Sequence, residues 1–133
     1  MSDDKRVVHI RTTADIHNAI FAVQALAREN GMKEGVSAAI ATAVSELVTN
    51  VLKYAGTGRV SYQTVKRAKR LGIEAVVQDT GPGIMDIEEA MKESVSTSGT
   101  LGLGLPGAKR LVDEFEITST VDRGTTVKVV KWG

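Results

Sequence analysis

The chain has 133 residues, 42% of them hydrophobic and 25% charged, the length and balance of one globular domain with one core. Its 17 basic and 16 acidic side chains leave a formal charge of +1, so no overall field steers it onto nucleic acid or an anionic membrane, and neither is expected as a partner. The absence of cysteine removes disulfide and thiolate chemistry, and the charged opening Met1-Ser2-Asp3-Asp4-Lys5-Arg6 carries no signal-peptide apolar region, so the expected location is the cytoplasm.

Residues 7–12 are rich in β-branched types, with Val8, Ile10 and Thr12 on one side of a period-2 pattern, which predicts a first strand. Ile16, Ile20, Val23 and Ala27 then recur at helical spacing, with Asp15 or Thr13 expected to cap the start and Gly31 to end the helix. A second helix is predicted over about residues 36–54 from the stripe Val36, Ile40, Val44, Leu47 and Val51, and Ala55-Gly56-Thr57-Gly58 stops it. Strands fit about residues 59–65 and 71–78, the second delivering Asp79 at its end. The basic run Lys66-Arg67-Ala68-Lys69-Arg70 between them reads as a solvated turn.

From Thr80 to Leu105 the sequence is loop-like and glycine-rich, with a short helix expected near residues 86–93. Pro106 suits a first helical turn, and Leu105, Ala108, Leu111, Val112 and Phe115 give the helix that follows an apolar face. Two last strands, about residues 116–121 and 125–131, flank the turn Asp122-Arg123-Gly124. This order suits an α/β sandwich with helices on one face of a mixed sheet.

Some polar residues depart from what packing alone requires. Glu46, Asn50 and Lys53 form their own stripe beside the apolar one on the second helix. An amide oxygen is a hard ligand for Mg²⁺, an ammonium neutralises phosphate, and a carboxylate can accept a proton; a solvated edge of an amphipathic helix would use the same residue types. Asp79 opens Asp79-Thr80-Gly81-Pro82-Gly83-Ile84, where a carboxylate on a rigid strand end can accept from an exocyclic amine and glycines let a flat ring approach the backbone, although Asp-x-Gly-x-Gly also makes ordinary turns. Ser98-Gly99-Thr100-Leu101-Gly102-Leu103-Gly104-Leu105-Pro106-Gly107 leads glycine-rich backbone into a helix start, a place for phosphate or for a hinge. It is neither a Walker loop nor a dinucleotide fingerprint.

In this order the three elements resemble the N, G1 and G2 boxes of the GHKL (Bergerat-fold) superfamily of ATPases and kinases, and Gly124-Thr125 resembles its C-terminal Gly-Thr. The resemblance implies an α/β sandwich with a mixed, mostly antiparallel sheet, helices on one face and a glycine-rich ATP lid. It implies ATP and Mg²⁺ as cofactors, with Asn50 as metal ligand and Glu46 as catalytic base. Asp79, with Thr125 and a water, would read adenine; Gly81, Gly83 and Ile84 would shape the base pocket. Gly99, Gly102, Leu103 and Gly104 would wrap the phosphates, with Lys53 and Tyr54 near them.

Within the superfamily the chain is most similar to the anti-sigma-factor kinases, and among these to the RsbT-type switch kinases of the bacterial stressosome. Ser45-Glu46-Leu47, Tyr54-Ala55-Gly56, Ser96-Thr97-Ser98-Gly99, Gly104-Leu105-Pro106-Gly107-Ala108-Lys109-Arg110-Leu111, Asp113-Glu114-Phe115 and Lys131-Trp132 carry that match. It implies phosphoryl transfer to a serine or threonine of a STAS-domain partner, then release to bind and activate a PP2C-type phosphatase, the free protein being a monomer or weak dimer. The alternative is an anti-sigma factor that sequesters a sigma factor and phosphorylates its STAS-domain antagonist. A histidine autokinase is disfavoured, because His9 and His17 lack the surroundings of a phosphoacceptor histidine.

Overall fold

The computed structural model describes residues 5–91 and 104–133. Strand β1 is Arg6–Ile10, helix α1 Thr13–Glu29 and helix α2 Glu34–Asn50, which runs into a π-helical turn, Val51–Ala55. Strands β2 (Gly58–Arg67) and β3 (Arg70–Asp79) follow, then the short helix α3 (Ile87–Ala90), α4 (Leu105–Leu111), β4 (Glu114–Thr120) and β5 (Gly124–Trp132).

The first strand stops at Ile10 rather than Thr12 because the next residues are taken by the cap of α1. Thr12, not Thr13 or Asp15, is the N-cap: its hydroxyl accepts from Asp15 N, while the Asp15 carboxylate accepts the Arg11 and Thr12 amides at 2.9 and 3.0 Å. These two bonds hold the Asp15 carboxyl below the usual carboxylate value. The predicted second helix is also corrected at its end. Its α-helical hydrogen bonding gives way after Asn50, and Gly56 N reaches back five residues to the Val51 carbonyl at 2.8 Å.

The strand order is β1-β2-β3-β5-β4, and every neighbouring pair is antiparallel. The mixed, mostly antiparallel sheet expected from the sequence is antiparallel at every neighbouring pair of described strands, for a topological reason. A single crossover helix would return the chain for a parallel strand, whereas α1 runs out and α2 runs back, so β2 begins beside the end of β1, with Ile10 opposite Gly58. The β2–β3 hairpin is longer than the sequence suggests: Arg67 pairs with Arg70, so only Ala68 and Lys69 turn, Ala68 at φ 56°.

Val60, Tyr62, Ile73, Ala75, Val77, Val127 and Val129 form the inner face of the sheet. Against them pack Val23 and Leu26 of α1, Ile40, Val44, Leu47 and Val48 of α2, and Leu105 and Ala108 of α4. The continuous helical stretch Glu34–Ala55 is 22 residues long and apolar enough by composition to cross a membrane. Ile40, Val44, Leu47 and Val48 are nevertheless almost wholly buried inside the protein, the pattern of a core helix.

Gly124 is where the site end of the sheet closes. Its φ is 118°, and a Cβ there would collide with the Asp79 carbonyl oxygen and lie 2.8 Å from Thr80 Cα, both backbone atoms that cannot swing aside. Gly124→Ala is therefore expected to cost about 3 kcal/mol, from left-handed strain plus overpacking. Urea unfolding would show this as a lower midpoint at unchanged slope; an unmoved midpoint would mean that the hairpin relaxes freely.

Candidate nucleotide site

Strand β3 ends with Asp79 on the helix-facing side of the sheet, in line with Ile10 and Gly58. Its Oδ1 accepts the Gly81 amide at 2.9 Å and the Thr125 amide at 3.3 Å, so one carboxylate oxygen both turns the chain and fastens β3 to the start of β5. Asn50 arrives from the opposite side, on the last turn of α2. Between them lies a cavity of about 200 Å³ with walls of Leu47, Val51, Val77, Leu105 and Val127, into which Asn50, Asp79 and Thr125 bring polar groups. Tyr54 and Ala55 of the π-helical turn, and Pro82, Gly83 and Ile84, complete the lining. Apolar walls that suit the faces of a ring, with a few converging polar groups to orient it, are the ordinary make-up of a small-molecule site.

The structure thus gathers Asn50, Tyr54, Asp79, Gly83, Ile84 and Thr125 round one space. Gly81 stands just behind it: a Cβ there would sit 2.5 Å from Ala55 Cβ, so the glycine lets the segment after Asp79 press against the end of the π-helical turn. A Cβ on Gly83 would strike the Thr120 carbonyl oxygen. Glu46 is exposed, one turn before Asn50, and does not line the cavity. Its carboxylate occupies the place a Cβ on Gly104 would need, and Gly104, at φ 71°, is the N-cap of α4. Lys53 does not line the cavity either; its ammonium lies 5.3 Å from the centre of the Tyr54 ring. Gly99, Gly102 and Leu103 lie outside the described residues.

Two features escaped the sequence reading. One is the π-helical turn, which hydrophobic spacing does not separate from an α-helix over so few residues. The other is Ser119, whose Oγ lies 2.7 Å from Ile84 N, 2.8 Å from Thr125 Oγ1 and 3.1 Å from the Gly124 carbonyl oxygen. A signal was present: Ser119 continues the inward alternation of Phe115 and Ile117, placing a hydroxyl where β4 otherwise points an apolar side chain to the core.

Residues 11–131 match the family model of the histidine kinase-like ATPase domain. The chain belongs to this family. Among its relatives, the serine/threonine-protein kinase RsbT of Bacillus subtilis (strain 168) is 41% identical over 130 residues, covering 98% of each chain. The anti-sigma F factor of Thermoanaerobacter sp. (strain X514) is 35% identical over 99 residues, 70% of this chain and 68% of that one. Solved members share the fold at lower identity. The histidine kinase domain of the Erythrobacter litoralis EL346 blue-light activated kinase superposes with a TM-score of 0.53 at 20% identity, covering 89% of this chain and 59% of that one. The catalytic domain of histidine kinase ThkA gives 0.50 at 14% identity, with 95% of both chains covered. The five-stranded antiparallel sheet backed by helices is the histidine kinase-like ATPase fold.

Proposed function

We propose that the chain, acting as one ATP-binding unit, is a serine/threonine protein kinase that phosphorylates a STAS-domain partner in a partner-switching module. It is then released to bind and activate a PP2C-type phosphatase. The observation that carries the reading is the convergence of Asn50, Asp79 and Thr125, from three distant segments, on one cavity in a chain 41% identical to a serine/threonine kinase over nearly its full length.

The adenine ring packs between the apolar walls and gives its amino hydrogens to the Asp79 carboxylate, an acceptor held rigidly by the Gly81 and Thr125 amides. Asn50, whose side chain offers an amide oxygen, would hold Mg²⁺ together with the phosphate oxygens of ATP; among the described residues no cluster of three acidic or histidine ligands is present, and a magnesium ion shared with phosphates needs none. When bound, the ion supplies charge neutralisation at the phosphates. Gly104 and the N-terminal turn of α4 close the phosphate end, with Gly99, Gly102 and Leu103 preceding them in sequence. Glu46 takes the proton of the acceptor hydroxyl as its oxygen bonds to the γ-phosphorus and the bond from that phosphorus to the β–γ bridging oxygen breaks, releasing ADP. Lys53 and Tyr54 stand near enough to the end of α2 to meet phosphate or partner. The cytoplasm is the expected location.

The test is transfer of labelled phosphate from ATP·Mg²⁺ to a purified STAS-domain protein from the same organism. Phosphoserine or phosphothreonine on the partner is the expected product. The likeness to anti-sigma F factors favours one alternative, a module that sequesters a sigma factor and phosphorylates its antagonist. Capture of a sigma factor with nanomolar affinity in the same preparation would move the reading there.

A further inference from the structure

We infer that Ser119 is a positioning residue that sets the direction of the Thr125 hydroxyl and thereby makes the base-reading edge of the cavity an acceptor-only surface. The inference rests on the reading of that cavity as the adenine site.

Ser119 has one hydroxyl proton and three neighbours within hydrogen-bond reach. The Ile84 amide, at 2.7 Å, can only donate, and the Gly124 carbonyl, at 3.1 Å, can only accept. The arrangement that satisfies all three contacts sends the Ser119 proton to Gly124. The 2.8 Å bond between Ser119 and Thr125 then takes its proton from Thr125. Thr125 lines the cavity, so what its oxygen has left for a ligand is lone pairs, and the Asp79 carboxylate beside it is engaged as an acceptor.

Two acceptors and no donor suit a 6-amino purine, whose amino hydrogens, or a water held by the pair, find partners at once. A 6-oxo purine presents a carbonyl oxygen in place of that amino group, and there the oxygen meets only acceptors, its N1 hydrogen being the one donor left beside it. Without the Ser119 hydroxyl, Thr125 is free to rotate. It can then donate to the Asp79 carboxylate, using an acceptor site, or to an incoming carbonyl. Ser119 also ties Ile84, and with it residues 81–84, to the β4–β5 hairpin, so one hydroxyl fixes two sides of the base site.

The experiment compares the affinities of ATP and inosine triphosphate by competition against a fluorescent ATP analogue. Wild type is expected to prefer ATP by about a hundredfold, and Ser119→Ala to lower that preference about tenfold, the effect of one misdirected, partly buried hydrogen bond. A purely structural role would weaken both nucleotides in parallel and leave the ratio alone, and that result would overturn the inference. Ser119→Thr, which keeps the hydroxyl, is expected to restore the ratio. Thr125→Val removes the partner hydroxyl and closes a double-variant cycle, in which the double variant should go no further than Thr125→Val alone; Ser119→Cys, which keeps the volume and weakens the bond, repeats the ratio test if Ser119→Ala folds poorly. If wild type itself does not distinguish the two nucleotides, the adenine reading of the cavity fails; if wild type distinguishes them and Ser119→Ala does so equally, only the role of Ser119 fails.

Discussion

Replacing Glu46 with glutamine is expected to lower phosphoryl transfer by about a hundredfold to ten-thousandfold, the range for loss of a general base, while ATP affinity stays within about threefold of wild type. The geometry gives the reason for this split. Glu46 lies outside the cavity lining, so binding does not depend on its charge. It stands one turn from Asn50, with its carboxylate against Gly104, beside the end of the cavity assigned to phosphate. Glutamine preserves the length of the side chain and its packing on Gly104 but cannot take a proton. Single-turnover transfer and calorimetric ATP titration separate the two effects. A parallel loss of binding and transfer would assign Glu46 to holding α2 against α4 instead.

Asp79→Asn is expected to weaken ATP binding about a hundredfold and to abolish transfer at ordinary nucleotide concentrations. The amide oxygen of asparagine can still accept from Gly81 and Thr125, so the turn and the strand junction survive. The other end of the side chain changes from an acceptor to a donor, and a donor now faces the donor hydrogens of the adenine amine. Loss of a charge-assisted bond together with a desolvated mismatch amounts to about 3 kcal/mol, hence the factor of about one hundred. Nucleotide titration with urea unfolding as the folding control checks this. Unchanged affinity in a folded variant would remove this cavity as the base site.

Much of the architecture could be read from residue spacing, because strong periodicity and strong breakers coincide. Ile16, Ile20, Val23 and Ala27 announce α1, and Gly31 closes it at φ 73°. The antiparallel sheet was less legible, since whether strands pair parallel or antiparallel depends on how many helices intervene and in which direction they run, a property of the assembled chain. Asn50 could be nominated from the polar stripe it forms with Glu46 and Lys53 beside the apolar one, Asp79 from its place at a strand end before two glycines, and Thr125 from the Gly124-Thr125 pair. Ser119 could not be nominated so easily. Its importance arises from three partners brought together only after β4 and β5 pair and the 81–84 segment folds over them. The π-helical turn was hidden for a similar reason: over the five residues Val51–Ala55 hydrophobic spacing does not separate it from a continued α-helix.

The walls of the cavity are also the edge of the core. Leu47, Val51, Val77, Leu105 and Val127 belong to the cluster that holds α2 and α4 to the sheet, so a purine ring packed among them would act as one more core side chain, contributed from solution. Nucleotide concentration then becomes a folding variable. At a hundred times its dissociation constant, ATP would add about 2.7 kcal/mol to global stability. Amide hydrogens at the junction of β3 and β5 should exchange more slowly in proportion, and in a starved cell the same protein would open, and meet proteases, more often.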